Sequence, residues 1–257
     1  MRPSVASIAL TIWFYALFLA VSAIAIPLLA LSVVVCAPFL SHRRAMRLFR
    51  DRIKTYGRTV LALPRPFVRI SYETTGAEAI PPLPCIYVCN HRSASDPFLL
   101  AFPPGEIVQV VNVWPFRLPV LGKFARWAGY LSIREMEPES FFDAAEKLLR
   151  EGVSLGVFPE GTRSPSGKIG TFHGAAFRLA LKTRTPIVPI CLLGSEDKPR
   201  KGSPWISPGR IRVLRLPALQ PEAFERDTPF RLKNRVRALL EAAAEEAEPI
   251  ESAPESA

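Results

Sequence analysis

The stretch CIYVCNHRSASDPFLLAF, residues 85–102, sets the architecture. CIYVCN (85–90) is rich in β-branched and aromatic side chains and reads as a strand. Its period of two places Cys85 and Cys89 on one face. RSAS is small and polar, as a turn requires. DPFLLAF (96–102) reads as a helix with Asp96 at the N-cap and Pro97 at N1. A strand thus runs through a tight turn into a helix. His91, one of only three histidines in the chain, and Asp96 flank the turn. In a continuous helix, residues five apart sit about 140° apart around the axis and cannot meet. Across a turn they can. The carboxylate would then fix the proton on one ring nitrogen and leave the other free as a general base. With no serine or cysteine partner, such a pair suits direct attack by a substrate hydroxyl. The plain alternative is a capping aspartate beside an incidental surface histidine.

The same alternation extends in both directions. FVRISYE (67–73), EIVQVVN (106–112), VSLGVFP (153–159), PIVPICLLG (186–194) and GRIRVLRLP (209–217) read as further strands. LGKFARWAGY (121–130), SFFDAAEKLLREG (140–152) capped by Ser140, AAFRLALKT (175–183) and TPFRLKNRVRALLEAAAEEAE (228–248) read as helices. Strands alternating with helices predict an α/β fold with a mostly parallel central sheet flanked by helices.

Residues 4–40 form an uninterrupted apolar run. It exceeds the ~20 residues of one bilayer span and falls short of two. Pro27 is expected to kink or break a helix there. A hairpin in one leaflet or across the bilayer, and a single span followed by an interfacial segment, both fit. A cleaved signal peptide near Ala25 fits less well, because the run continues far past that site. Seven basic residues come next within 43–58, namely Arg43, Arg44, Arg47, Arg50, Arg52, Lys54 and Arg58. They predict a cytoplasmic side for the rest of the chain and a basic helix on anionic head groups, with His42 at the interface. The expected organisation is a membrane-attached helical segment over 1–60, a catalytic α/β domain over 61–248 and a disordered acidic tail over 249–257. The net charge of +10 belongs to the body, because residues 241–257 hold six Glu and no Lys or Arg. A basic body expects an anionic partner, and no nucleic-acid motif accompanies the charge. The four cysteines form no disulfide framework, and Cys85 with Cys89 lacks a second Cys/His pair for a metal.

A second stretch, FPEGTRS (158–164), also comes directly after an apolar strand. Its tight loop offers backbone N–H groups, and Arg163 offers a guanidinium fork for an anion. Glu160 is placed to orient Arg163 or bind a hydroxyl. Together with NHRSASD (90–96) about 70 residues before it, and PIVPI (186–190) more loosely, it resembles the glycerolipid acyltransferase family, the 1-acylglycerol-3-phosphate acyltransferases and their relatives. The resemblance covers about residues 65–195. It implies an O-acyltransferase that moves a fatty acyl group from a thioester of acyl carrier protein or coenzyme A to a lysolipid hydroxyl. No further cofactor is implied. His91 would be the base and Asp96 its orienting carboxylate. Glu160, Gly161, Thr162 and Arg163 would hold the acceptor, with Arg134 contributing. Asn90 and the turn amides are candidate oxyanion donors. The implied location is the inner membrane with the catalytic domain facing the cytoplasm.

Departures from the family pattern concern the acceptor phosphate. GYLSIRE (129–135) stands where relatives read like G-x-x-F-I-D-R, which puts Glu135 at the Arg position and leaves Arg134 one residue short. Asn112 and His173 stand where lysines are common. The expected acceptor is 1-acylglycerol-3-phosphate, with another lysolipid such as a lyso-aminolipid, water in a lipid hydrolase, or non-enzymatic lipid binding as alternatives. His173 has a plain reading as a helix-entry residue. Trp114, Phe116, Phe124 and Trp127 are candidates for an acyl-chain groove or for packing.

Overall fold

The computed structural model describes residues 3–76, 82–112, 119–164 and 168–247. Seven strands form one sheet: β1 (Val68–Thr74), β2 (Ile86–Cys89), β3 (Ile107–Val111), β4 (Leu131–Ser132), β5 (Ser154–Val157), β6 (Ile187–Leu193) and β7 (Gly209–Arg215). Their order is β1-β7-β6-β2-β5-β3-β4. All neighbours pair parallel except β6 with β7, which run antiparallel. The expected mostly parallel α/β sheet flanked by helices is therefore present. β2 and β6 are buried along their whole length, as near-continuous apolar strands covered on both faces must be. Ile86 and Val88 point to the core beneath α5 (Pro138–Arg150), α6 (Ala175–Thr183) and α7 (Pro229–Ala247). Cys85, Tyr87 and Cys89 point to the opposite core, with Leu99, Ile190 and Val213. This is the period-two separation read for Cys85 and Cys89.

α4 (Pro119–Trp127) answers the helix expected over 121–130, while two other helix starts differ from expectation. α5 begins at Pro138 with Glu137 as N-cap, not at Ser140, because a proline preset to helical φ takes the first position. α3 (Asp96–Leu99) is a single turn entered from Ser95, with Asp96 inside it rather than capping a longer helix. Expectations for residues 248–257 fall outside the described residues, as do those for Trp114 and Phe116 and for the side chain of Phe124.

At the N-terminus, α1 (Val5–Cys36) is one continuous helix of 32 residues that contains Pro27. Ser4 caps it by accepting a hydrogen bond from Ser7 N. Its first turns dock on the body: Leu10 is buried, and Thr11 Oγ1 accepts from Ile206 N at 2.9 Å. Beyond them Leu19, Ile24, Leu28, Leu31 and Val34 are exposed. A helix long and apolar enough to cross a bilayer thus presents bare apolar surface, which fits membrane association. α2 (His42–Ala62) turns back beside it, with Ser22 Oγ 2.7 Å from Tyr56 Oη.

The basic cluster on α2 serves the fold more than the sequence indicates. Arg43 and Arg50 both donate to Glu106 Oε1, at 2.9 and 2.6 Å. Arg50 Nε donates to Ala128 O, Lys54 Nζ to Pro103 O and Gly105 O, and Arg58 Nε to Ala101 O. These four residues recur at helical spacing and grip the body, while Arg44, Arg47 and Arg52 stay exposed together with His42. Burial opposes ionisation of Glu106, yet the two guanidinium groups hold it below the usual carboxylate range.

Candidate active site

The sheet register explains why two motifs distant in sequence meet. Val88 lies beside Val157, and Val157 lies beside Val110. The segments after β2, β5 and β3 therefore emerge together at the carboxyl ends of parallel strands, where open α/β sheets place their sites. β6, on the other side of β2, delivers the loop after Leu193 to the same end.

His91 Nδ1 lies 2.9 Å from Asp96 Oδ2. The same oxygen accepts from Arg92 N and Ser93 N, both at 2.6 Å. Asp96 is fully buried, and its Oδ1 has no hydrogen-bond partner among the described residues. One carboxylate oxygen thus fastens the turn and receives the imidazole. An oxygen that already takes two N–H groups acts as acceptor, so the ring proton sits on Nδ1 and the lone pair on Nε2. The His91 ring keeps partial exposure and lies against Phe158, centroids 4.6 Å apart. The contact that a base and its orienting carboxylate need is present. Asp96 is also a cap, of the 91–93 turn and not of a helix.

Glu160 departs from its expected place on the acceptor. It is buried; Oε1 accepts from His91 N at 2.7 Å and Oε2 from Gly170 N at 2.8 Å. Burial pushes its carboxyl above the usual range, opposed by those two amides. It braces the histidine backbone from the neighbouring strand. Ser164 N, donating to His91 O at 2.8 Å, closes the other side.

The expected oxyanion donors are occupied. Asn90 is buried between strands, donating through Nδ2 to Leu192 O at 2.9 Å and accepting from Leu192 N at 2.7 Å. His91 N, Arg92 N and Ser93 N are bound to Glu160 and Asp96. A buried polar group must be satisfied, and here the turn satisfies its own.

Gly161 adopts φ +67°, a left-handed conformation, and a side chain there would come within 3.1 Å of the His173 ring. His173 N in turn donates to Pro159 O at 2.7 Å, which makes it a loop-shaping residue at the entry to α6. Thr162 is exposed and accepts from Lys201 Nζ at 3.0 Å. Arg163 is half-buried beside it. Asn112 Nδ2 stands 3.5 Å from Gly161 O. Arg134 lies in an exposed turn after β4, at the same end of the sheet but two strands beyond β5. Trp127 is exposed.

Sequence reading missed the loop after β6. Arg92 pairs with Glu196, and Ser93 Oγ donates to Lys198 O at 2.7 Å. The available signal was GSEDKPRKGS (194–203), a charged polar run directly after a fully apolar strand.

Residues 71–193 match the acyltransferase family model. The chloroplastic 1-acyl-sn-glycerol-3-phosphate acyltransferase of Brassica napus is 34% identical over 58% of this chain and 44% of its own length. The chain thus spans less than half of that relative. The 1-acyl-sn-glycerol-3-phosphate acyltransferase of Pseudomonas aeruginosa is 27% identical over 84% of each chain. Among solved structures, the 1-acyl-sn-glycerophosphate acyltransferase PlsC of Thermotoga maritima superposes with TM-score 0.75, covering 93% of this chain and 95% of that one at 23% identity, a likeness of fold. Residues 71–193 are thus similar to the acyltransferase family, and the β2–β5 register brings HRSASD and FPEGTRS side by side.

Proposed function

We propose that the protein is a membrane-attached O-acyltransferase that transfers a fatty acyl group from an acyl thioester, carried by coenzyme A or acyl carrier protein, to the hydroxyl of 1-acylglycerol-3-phosphate, giving phosphatidic acid. The observation that carries the reading is the His91–Asp96 contact at 2.9 Å, with Asp96 anchored by two backbone amides. A base held this way has its tautomer and orientation set before substrate arrives. The acceptor hydroxyl gives its proton to His91 Nε2 as its oxygen attacks the thioester carbonyl carbon. The tetrahedral intermediate collapses, the C–S bond breaks, and the departing thiolate takes the proton back from the imidazolium. Ester and free thiol result, and no covalent enzyme intermediate is required. Asp96 stabilises the transient imidazolium, and Glu160 keeps His91 in register. Thr162 and Arg163 face the acceptor head group, and Arg134 is a more peripheral candidate.

The exposed apolar length of α1 supports a lipid surface as the place of reaction. The outward Arg44, Arg47 and Arg52 support a cytoplasmic face, where anionic head groups and the positive-inside bias both favour them.

The test is to incubate the full chain in detergent micelles or vesicles with acyl coenzyme A or acyl carrier protein and a panel of lysolipids, tracking thiol release and lipid product. Lysophosphatidate-dependent thiol release with phosphatidic acid formed is expected, and His91→Ala should abolish it while the chain stays folded. Thiol release without acylated lipid would make it a hydrolase. A lyso-aminolipid as the better acceptor would move the substrate, and no turnover at all would sink the enzyme reading.

A further inference from the structure

The loop after β6 presents a cation to the loop after β5. Lys201 Nζ donates to Thr162 Oγ1 at 3.0 Å, and both residues are exposed. The turn carrying Lys201 is well defined: Ser203 N donates to Arg200 O at 3.1 Å, and Gly202 has φ +79°. A positive φ at the third position marks a type II turn, which sets Lys201 at its first corner. The loop is pinned to the histidine turn through Ser93 Oγ to Lys198 O and through the Arg92–Glu196 pair.

Two of the neighbouring cations are neutralised. Arg92 is paired with Glu196, and Lys198 Nζ lies 2.7 Å from Asp197 Oδ1. Among the described residues neither Lys201 nor Arg163 has a carboxylate partner, and Glu160 is committed to backbone amides. An ammonium held by one hydroxyl keeps two N–H groups for an anion. Among the described residues, the β3 side of the same loop meets the neutral Asn112, and Arg134 stands two strands away. Positive charge thus reaches the FPEGTRS loop from the β6 side.

We propose that Lys201, seated on Thr162 beside Arg163, binds the phosphate monoester of the acceptor and sets the preference for phosphate-bearing over neutral lysolipids. It rests on the acyltransferase reading above for the nature of the acceptor, and its test separates the two. Lys201→Met removes the charge but keeps the stem at an exposed site. Lys201→Arg keeps the charge. Binding of lysophosphatidate and of monoacylglycerol to the full chain in detergent micelles is measured by calorimetry. The ratio of the two affinities should fall about tenfold in Lys201→Met, the lower end for a charge-assisted hydrogen bond, and stay within about threefold of wild type in Lys201→Arg. In turnover the loss should fall on KM for lysophosphatidate, not on kcat. An unchanged ratio in Lys201→Met, or a wild type that binds both lipids alike, overturns the assignment. Lys201-dependent binding without acyl transfer would instead sink the enzyme reading alone.

Discussion

Substitution of Asp96 separates its two tasks. In Asp96→Ala, Arg92 N and Ser93 N lose their common acceptor in a buried setting. Each unsatisfied buried N–H costs about 1–3 kcal/mol, so about 2–6 kcal/mol is expected. At about 2–4 °C per kcal/mol for a domain of this size, the melting temperature should fall by roughly 10 °C. Asp96→Asn behaves differently. Its amide oxygen takes the place of Oδ2, because an NH2 there would face three donors. Both backbone bonds survive, and the NH2 occupies the site of the unpartnered Oδ1. Melting should drop by only a few degrees. The imidazolium formed during transfer, however, loses its negative partner. A loss of about 10³-fold or more in kcat is expected, by analogy with other His–carboxylate pairs. The assays are circular-dichroism melting in detergent and thiol release from acyl coenzyme A. Asp96→Asn within about tenfold of wild-type activity would refute the role given to the carboxylate. Asp96→Ala melting with the wild type would refute the turn-fastening role.

Glu160→Gln leaves one of His91 N and Gly170 N facing an NH2 group, so kcat should fall by about 100-fold with little change in KM; a rise in KM alone would return Glu160 to acceptor binding. Its raised pKa means that the ionised form costs folding free energy: stability from this group is present at low pH and is lost as pH rises through the raised value. Melting of Glu160→Gln at neutral pH should fall by only a few degrees, because relief from burying a charge partly offsets the donor left facing an NH2. The wild-type activity should also decline on the acid side as Glu160 takes a proton, and a pH–rate profile unchanged by Glu160→Gln would contradict this. Glu106→Ala strips Arg50, which is 5% exposed, of its carboxylate and should cost about 3–5 kcal/mol, read by melting and by new protease cleavage near residues 63–67. Because Glu106 is held below its usual range, the stability it lends should be lost as pH falls through that lowered value, and a melt independent of pH there would argue against the pair.

Local pattern made most of the elements legible. Apolar runs of strand length, caps and polar turns depend on neighbours in the chain, so the α/β class, an apolar N-terminal segment and a turn able to bring His91 to Asp96 could be read directly, whereas the unbroken course of α1 through Pro27 could not. The places of Glu160 and Asn90 could not. Each looks like a free polar group in sequence. Each is occupied because strand register brings a backbone partner from 69 or 102 residues away. The basic cluster on α2 shows the same limit: its charge is visible in sequence, but which four of its side chains turn inward depends on where the segment leading into β3 presents Glu106 and the carbonyls of Ala101, Pro103 and Gly105. Lys201 reaches Thr162 only because β6 lies parallel beside β2 and releases its loop at the site. The His91–Asp96 contact is written into a single segment, since a five-residue turn closes it locally. The groups that hold that pair in place, and the side from which positive charge meets the acceptor loop, come from the assembled sheet, because hydrogen-bond partners across strands are assigned by register, a property no single segment carries.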